Sequence, residues 1–283
     1  MALYSLAKAA AGRWPSAVAV RSQSEKLVVT FGALERQASA TAVALSGRGY
    51  EAGQVLICDL QNVAQNLVLQ LACSKLGVSY ATAKKSADMY EALDVGGVVY
   101  KDDASHLKAS NLPALSAADL LVEAVQANGE DVAGGSNPNH AYFNSTSPLT
   151  NDEVMSLAEN AATHLELSHL DTACVSITLC HAFGIGSAAA ACLATGATLS
   201  LPNVDGITGC GVPSERAAAT LLALETDDCT ILYADTHTLK ALPEDCALPS
   251  LRTGVCKISS GADFLEKSTP FAGVDLWTLG KRK

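Results

Sequence analysis

The 283-residue chain is predicted to be an α/β protein, with mainly parallel β-sheet flanked by helices. Three observations lead there. Short apolar runs of strand length alternate with longer segments of helical period, and that alternation builds βαβ units. Glycines such as Gly49 and Gly77 stand where one segment ends and the next begins. The composition is 49% hydrophobic but only 5% aromatic, with Ala, Leu and Val carrying most of the apolar content. Closely packed helices over a sheet suit such material, and a disordered chain does not.

In chain order, Leu3 to Ala11 reads as a short helix closed by Gly12 and the Trp14-Pro15 break. Ala17–Arg21 and Leu27–Thr30 alternate as a small hairpin. Phe31 to Gly49 is a helix because Leu34, Ala38, Ala42 and Leu45 share one stripe, and Gly47 and Gly49 stop it. Gly53–Asp59 is a buried strand, Val63–Leu76 a helix and Val78–Thr82 the next strand. A short helix over Lys84–Asp94, a strand over Gly97–Tyr100 and a helix over Ser116–Gln126 follow. Residues 128–139, rich in Gly, Asn and acids, read as a flexible linker. Beyond it come strand Ala141–Phe143, a polar loop, helix Asp152–His164, strand Ala173–Leu179, helix Gly184–Leu193 and strand Ala197–Leu201. Helix Ser214–Glu225, strand Cys229–Tyr233, helix Thr236–Leu242 and a last strand Gly254–Ile258 complete the order.

The formal net charge of −10 opposes nucleic-acid binding, which needs a basic face, and equally opposes anionic membrane surfaces. No apolar run reaches the ~20 residues of a membrane helix. Nine cysteines occur, none in a C-x-x-C pair. Cys73, Cys174 and Cys192 lie in apolar runs, where a free thiol behaves as a small hydrophobe. His164 and His169 lack i,i+4 spacing and a third ligand, so no metal is expected. Gly184-Ile-Gly-Ser187 is not a nucleophile elbow. The first 24 residues carry Lys8, Arg13 and Arg21 but no acid, the bias of a mitochondrial transit peptide.

Several stretches, in order, resemble motifs of the adenylate-forming superfamily (acyl-CoA synthetases, luciferases and peptide-synthetase adenylation domains). Pro15-Ser-Ala-Val-Ala-Val20 resembles its opening "P-x-A-V-A" strand, and Gly49-Tyr-Glu-Ala-Gly-Gln-Val-Leu-Ile57 its "G-V-x-x-G-D-x-V-x-I" turn. Leu179-Cys-His-Ala-Phe-Gly184 resembles "L-F-H-x-F-G", and Leu193-Ala-Thr-Gly-Ala-Thr198 resembles "L-L-A-G-A-T". Ser250-Leu-Arg252 with Ser259-Ser-Gly-Ala262 resembles "S-L-R-x-x-x-S-G-G-A". The resemblance runs from Leu3 to Ala262. It implies the large N-terminal domain of these enzymes, two packed αβα subdomains, and chemistry in which a carboxylate attacks the α-phosphate of ATP, expelling pyrophosphate, and the acyl-adenylate so formed passes its acyl group to a thiol with release of AMP.

The phosphate loop that the resemblance implies reads "T-S-G-T-T-G-x-P-K-G", whose glycines and lysine let backbone N–H groups and a cation meet the phosphates. Here Asn144-Ser-Thr-Ser-Pro-Leu-Thr-Asn-Asp-Glu153 occupies that place. Thr146, Leu149 and Glu153 stand at the glycine positions and Asp152 at the lysine; Ser145 and Ser147 complete the degenerate loop. Two unit charges 4 Å apart at an effective dielectric near 20 interact by about 4 kcal/mol, and Asp152 gives that interaction the wrong sign for a phosphate. Thr150 or Asn151, followed by Asp152 and Glu153, instead reads as a helix N-cap with acids in the first turn.

His181, Phe183 and Gly184 match the family region that borders the acyl and nucleotide pocket, and read as a relic of it. Glu225 and Glu266 lack the flanking residues of a Mg²⁺ ligand. From these readings we expect one truncated AMP-binding-like domain over residues 1–283, without the family's small C-terminal domain, without catalytic residues and without cofactors. The expected role is a structural or accessory subunit of a larger protein complex, in the mitochondrion rather than the cytoplasm. The alternative is a non-catalytic binder of an acyl-CoA, acyl carrier or nucleotide in a relic small-molecule groove, with an active carboxylate–CoA ligase third.

Overall fold

A computed structural model describes residues 2–60, 62–82, 90, 92–101, 112–127, 129–143, 146–204, 212–243, 245–259 and 261–281. Elements in the first half are α1 (Leu3–Arg13), β1 (Val18–Ser22), β2 (Leu27–Thr30), α2 (Phe31–Gly47), β3 (Val55–Asp59), α3 (Ala64–Leu76), β4 (Ser79–Thr82), β5 (Val95–Tyr100), β6 (Ala114–Ser116) and α4 (Ala117–Gln126). There follow β7 (Asn139–Tyr142), β8 (Leu149–Thr150), α5 (Asn151–His164), β9 (Thr172–Val175), a π-helix (Phe183–Ala190) and α6 (Ala191–Thr195). Last come β10 (Thr198–Leu201), α7 (Pro213–Thr226), β11 (Ile231–Asp235), α8 (Thr236–Ala241), β12 (Thr253–Lys257), β13 (Asp263–Phe271) and β14 (Val274–Gly280). The helix expected over Lys84–Asp94 lies mostly outside the described residues, as do Ser145 and Cys210.

The chain forms two compact units. The first comprises Met1–Pro15, Gly32–Leu60 and Gln65–Met155 and holds a six-stranded sheet in the order β6-β5-β3-β4-β7-β8. Its β6-β5-β3-β4-β7 ladder is parallel throughout, as the βαβ pattern requires, and β8 alone runs antiparallel, against β7. The predicted stripe on α2 is the buried one: Leu34, Ala38, Ala42 and Leu45 are all fully buried. α3 ends on Gly77 at φ +72°, a left-handed cap suited to glycine. Val55, Ile57, Ala81, Val98 and Tyr142 pack with Tyr90 into one core cluster of this unit.

The Gly- and Asn-rich stretch before β7 joins two elements of this same unit. It lies along the end of α3, where Gly135 N–H donates to the Lys75 carbonyl (3.0 Å) and Lys75 Nζ to the Asp131 carboxylate (2.5 Å). A Cβ on Gly135 would stand 1.8 Å from the Leu76 carbonyl oxygen, so its glycine serves a close backbone approach. The N-terminal helix is built in as well. Leu3, Ala7 and Ala10 are buried, and Tyr4 donates its hydroxyl to Glu35 (2.5 Å).

The second unit comprises Ser16–Phe31, Gln61–Ala64 and Ser156–Lys283 and holds an eight-stranded sheet, β13-β14-β12-β11-β9-β10-β1-β2. The predicted hairpin β1–β2 is its antiparallel edge. Strands do not end at Ile258 as the sequence reading has it. A second hairpin follows, turned at Ala272-Gly273 with positive φ at both residues (49° and 80°). β14 pairs parallel with β12 and extends the sheet beyond the expected last strand.

Two further boundaries differ from expectation. β9 stops at Val175 rather than Leu179, because the buried Asn62 amide donates to the Val175 carbonyl (3.2 Å) and accepts from Leu179 N–H (3.1 Å). The helix expected over Gly184–Leu193 is an eight-residue π-helix that passes into the short α6. Among the described residues no helix is long and apolar enough to cross a membrane.

Candidate functional site: a self-capped loop and a filled strand end

The place of the expected phosphate loop is the connection from β7 through β8 into α5, in the first unit. Register pairs Asn139 with Thr150 and Ala141 with Leu149, so Leu149 is a strand residue. Thr146 and Ser147 are exposed, and Leu149 is half-buried. Thr150 caps the helix. Its hydroxyl accepts from Glu153 N–H (3.2 Å), and the Glu153 carboxylate accepts from both the N–H (2.8 Å) and the hydroxyl (2.9 Å) of Thr150. This is a complete capping box, each residue satisfying the other's free donor.

Asn151 anchors the helix start from the other side, its amide donating to the Asn137 carbonyl (2.7 Å) and its N–H to Pro138 (2.9 Å). A helix N-terminus attracts anions through free N–H groups and its dipole. Here Glu153 N–H is taken by a hydroxyl, and exposed Asp152 and Glu153 supply two negative charges to the first turn.

His181, Phe183 and Gly184 belong to the second unit, where the chain leaves β9 for the π-helix. His181 is exposed, and its Nδ1 accepts from Phe183 N–H (3.1 Å). The Phe183 ring is buried against Tyr233, with centroids 5.8 Å apart. Gly184 has a packing reason: a Cβ there would lie 2.0 Å from the Thr178 carbonyl oxygen. Gly186 likewise faces Leu157, 2.7 Å from the nearest side-chain carbon.

Phe183 is covered by a residue outside the expected set. Lys257, the last residue of β12, places Nζ 5.3 Å from the Phe183 ring centroid and donates to the Gly261 carbonyl (2.5 Å). Burial holds this ammonium below the ordinary lysine value. The sequence signal is a lysine ending an otherwise apolar strand, Thr253-Gly-Val-Cys-Lys257. Its position, at the carboxyl end of a parallel strand, is where open α/β sheets seat ligands. Here the chain's own side chain occupies the face of the ring.

The three thiols expected in apolar surroundings are buried, while Cys246 is half-buried. Cys73, Cys174 and Cys192 are inaccessible, and burial pushes Cys73 and Cys192 up to about 12, which leaves them poor nucleophiles. Among the described residues no three His, Cys, Asp or Glu side chains converge as metal ligands.

The architecture is that of the large N-terminal domain of adenylate-forming enzymes. The chain matches o-succinylbenzoate coenzyme A synthetase (MenE) from Bacillus subtilis in its AMP complex with a TM-score of 0.72 at 18% identity, covering 89% of this chain and 66% of that one. It matches the N-terminal domain of FACL13 from Mycobacterium tuberculosis with a TM-score of 0.76 at 17% identity, over 91% and 70% of the two chains. VinN in complex with L-aspartate gives 0.75 at 16% identity, over 92% and 70%. The chain spans 66% of the MenE chain in the AMP complex and 55% in an unliganded form. At these identities the likeness establishes the fold. No protein-family model matches the sequence, and no curated protein matches it.

Proposed function

We propose that the chain is a catalytically inactive acyl-CoA synthetase-like protein that serves as a structural or accessory subunit of a larger protein assembly. The observation that carries this reading is the Thr150–Glu153 capping box at the head of α5, with Asp152 beside it. No glycine, lysine or arginine occurs from Phe143 to Leu165, so nothing in this stretch offers a triphosphate a cation or a freely approachable backbone. The Lys257 side chain over Phe183 supports the same reading from the second unit. A mitochondrial location draws on the acid-free first 24 residues, and imaging of a C-terminally tagged chain tests it.

Calorimetric titration with ATP and Mg²⁺, together with carboxylate-dependent pyrophosphate exchange, tests the loss of catalysis. The expected outcome is no heat of binding and no exchange at millimolar nucleotide. Acyl-adenylate formation by the purified chain would refute it. A second reading, a non-catalytic binder of an acyl-CoA, acyl carrier or nucleotide, draws on exposed His181 and on Lys257, whose ammonium meets no carboxylate among the described residues. A thermal shift with CoA or AMP that is lost in Lys257→Ala would favour it.

A further inference from the structure

Lys257 carries a charge that no carboxylate balances among the described residues. Its Nζ donates to the Gly261 carbonyl (2.5 Å) and stands 5.3 Å from the centre of the buried Phe183 ring. The acid placed beside it by strand register is Asp235, at the end of β11. That carboxylate accepts from Thr238 N–H (2.8 Å) as the cap of α8. The lysine is nonetheless open to reagents in solution. Lys257 is half-buried, and its tip ends at a connection whose Ile258, Ser259 and Gly261 are exposed.

An ammonium has three N–H donors, and here one carbonyl and one aromatic face meet them. Burial disfavours the charged form and holds this lysine below its ordinary value. The neutral amine keeps a donor for Gly261 and gains a lone pair, so it is the nucleophilic form. The product decides which electrophile suits it. An aldehyde gives an imine without N–H, which gives up the bond to Gly261, or an iminium, which keeps the charge. An acyl group gives a secondary amide, neutral and with one N–H left for the one carbonyl.

We infer that Lys257 is a site of covalent N-acylation by an activated acyl donor, a thioester or an acyl phosphate. Nζ attacks the donor's carbonyl carbon. The carbon–sulfur bond of the thioester, or the carbon–oxygen bond of the acyl phosphate, breaks with its electron pair. The thiol or the phosphate leaves with the proton that Nζ gives up, and an amide takes the place of the ammonium. This modification stands apart from the subunit role proposed above and does not depend on it.

The test incubates the full folded chain with acetyl-CoA and, separately, with acetyl phosphate, and follows each lysine by peptide mass spectrometry. Lys240 and Lys267, both exposed and in the same unit, are the internal references. Initial acetylation of Lys257 should run about fivefold or more ahead of either reference with at least one donor, and urea should abolish the difference. A preference seen with one donor alone supports the inference and assigns the source to thioester or to phosphate. Equal or slower reaction at Lys257 in the folded chain overturns it. A preference that survives in urea overturns it too, because it then belongs to the local sequence and not to the fold. Translational insertion of Nε-acetyl-lysine in place of Lys257 gives a second readout. A melting temperature equal to or above that of the unmodified chain is expected, and a lowered one overturns the inference.

Discussion

His140 stands in β7, fully buried, with Nε2 3.3 Å from the Gln70 side-chain oxygen. Gln70 in turn donates to Asn66 (3.2 Å), and Asn66 to the Leu60 carbonyl (3.3 Å), all within the first unit. The oxygen of Gln70 makes Nε2 the protonated nitrogen and leaves Nδ1 bare, with no hydrogen-bond partner. Adding a proton to Nδ1 would create a buried charge and a buried donor without an acceptor. Burial accordingly lowers the His140 value from 6.5 to about 4. The unfolded chain therefore binds this proton more readily than the folded one, so stability is full above pH 6.5 and falls as the pH drops toward 4.

With those two values the loss at pH 5 is about 2 kcal/mol, rising to about 3 kcal/mol below pH 4. His140→Gln keeps a donor where Nε2 stands and removes the titration. Each unit contains one of the two tryptophans, Trp14 in the first and Trp277 in the second, so a Trp277→Phe background makes fluorescence report the first unit alone. Urea unfolding of that background with and without His140→Gln, from pH 8 to pH 5, isolates the histidine from the carboxylates common to both. The His140 form should lose about 2 kcal/mol more across this range. Parallel stability curves would refute the account of a neutral, desolvated imidazole.

Other outcomes follow from local geometry. Thr150→Ala breaks the capping box and should cost about 1 kcal/mol of the first unit's stability, whereas Glu153→Gln keeps the acceptor and costs less; the same Trp14 assay measures both. Gly184→Ala forces a Cβ to within 2.0 Å of the Thr178 carbonyl and should destabilise the second unit by about 3 kcal/mol or more, read from Trp277 in a Trp14→Phe background. Gly12→Ala meets nothing within 4 Å and lies in α1, so it should stabilise by up to about 1 kcal/mol.

Where one physical signal dominates, the sequence reads plainly. The α2 stripe is legible because a 3.6-residue period with one apolar face has one reading, and the β1–β2 hairpin because its alternation is short and bounded. The cap of α5 is legible because Thr150 and Asn151 ahead of two acids form a local pattern that needs no tertiary information, although the choice of Thr150 and its reciprocal bonds with Glu153 comes from the structure. The β13–β14 hairpin is not, because β13 buries only Phe264 and Phe271 and carries Glu266, Lys267 and Pro270 on an edge. Glycine content is ambiguous in the same way. Residues 129–138 have the composition of a tether, yet Gly135 is the only residue type that fits against Leu76. The segment Phe183–Ala190 reads as helix, but all eight residues are buried, so no polar face marks its π geometry; and Lys257 over Phe183 joins positions 74 residues apart, beyond any local pattern.

The central claim, a protein of adenylate-forming fold retained for its surfaces, is tested most directly by the mass of the native particle that contains this chain, with its other members identified. A large particle of fixed stoichiometry, unchanged by added ATP or CoA, is the expected result. A free monomer of 29.1 kDa that turns over nucleotide would contradict it.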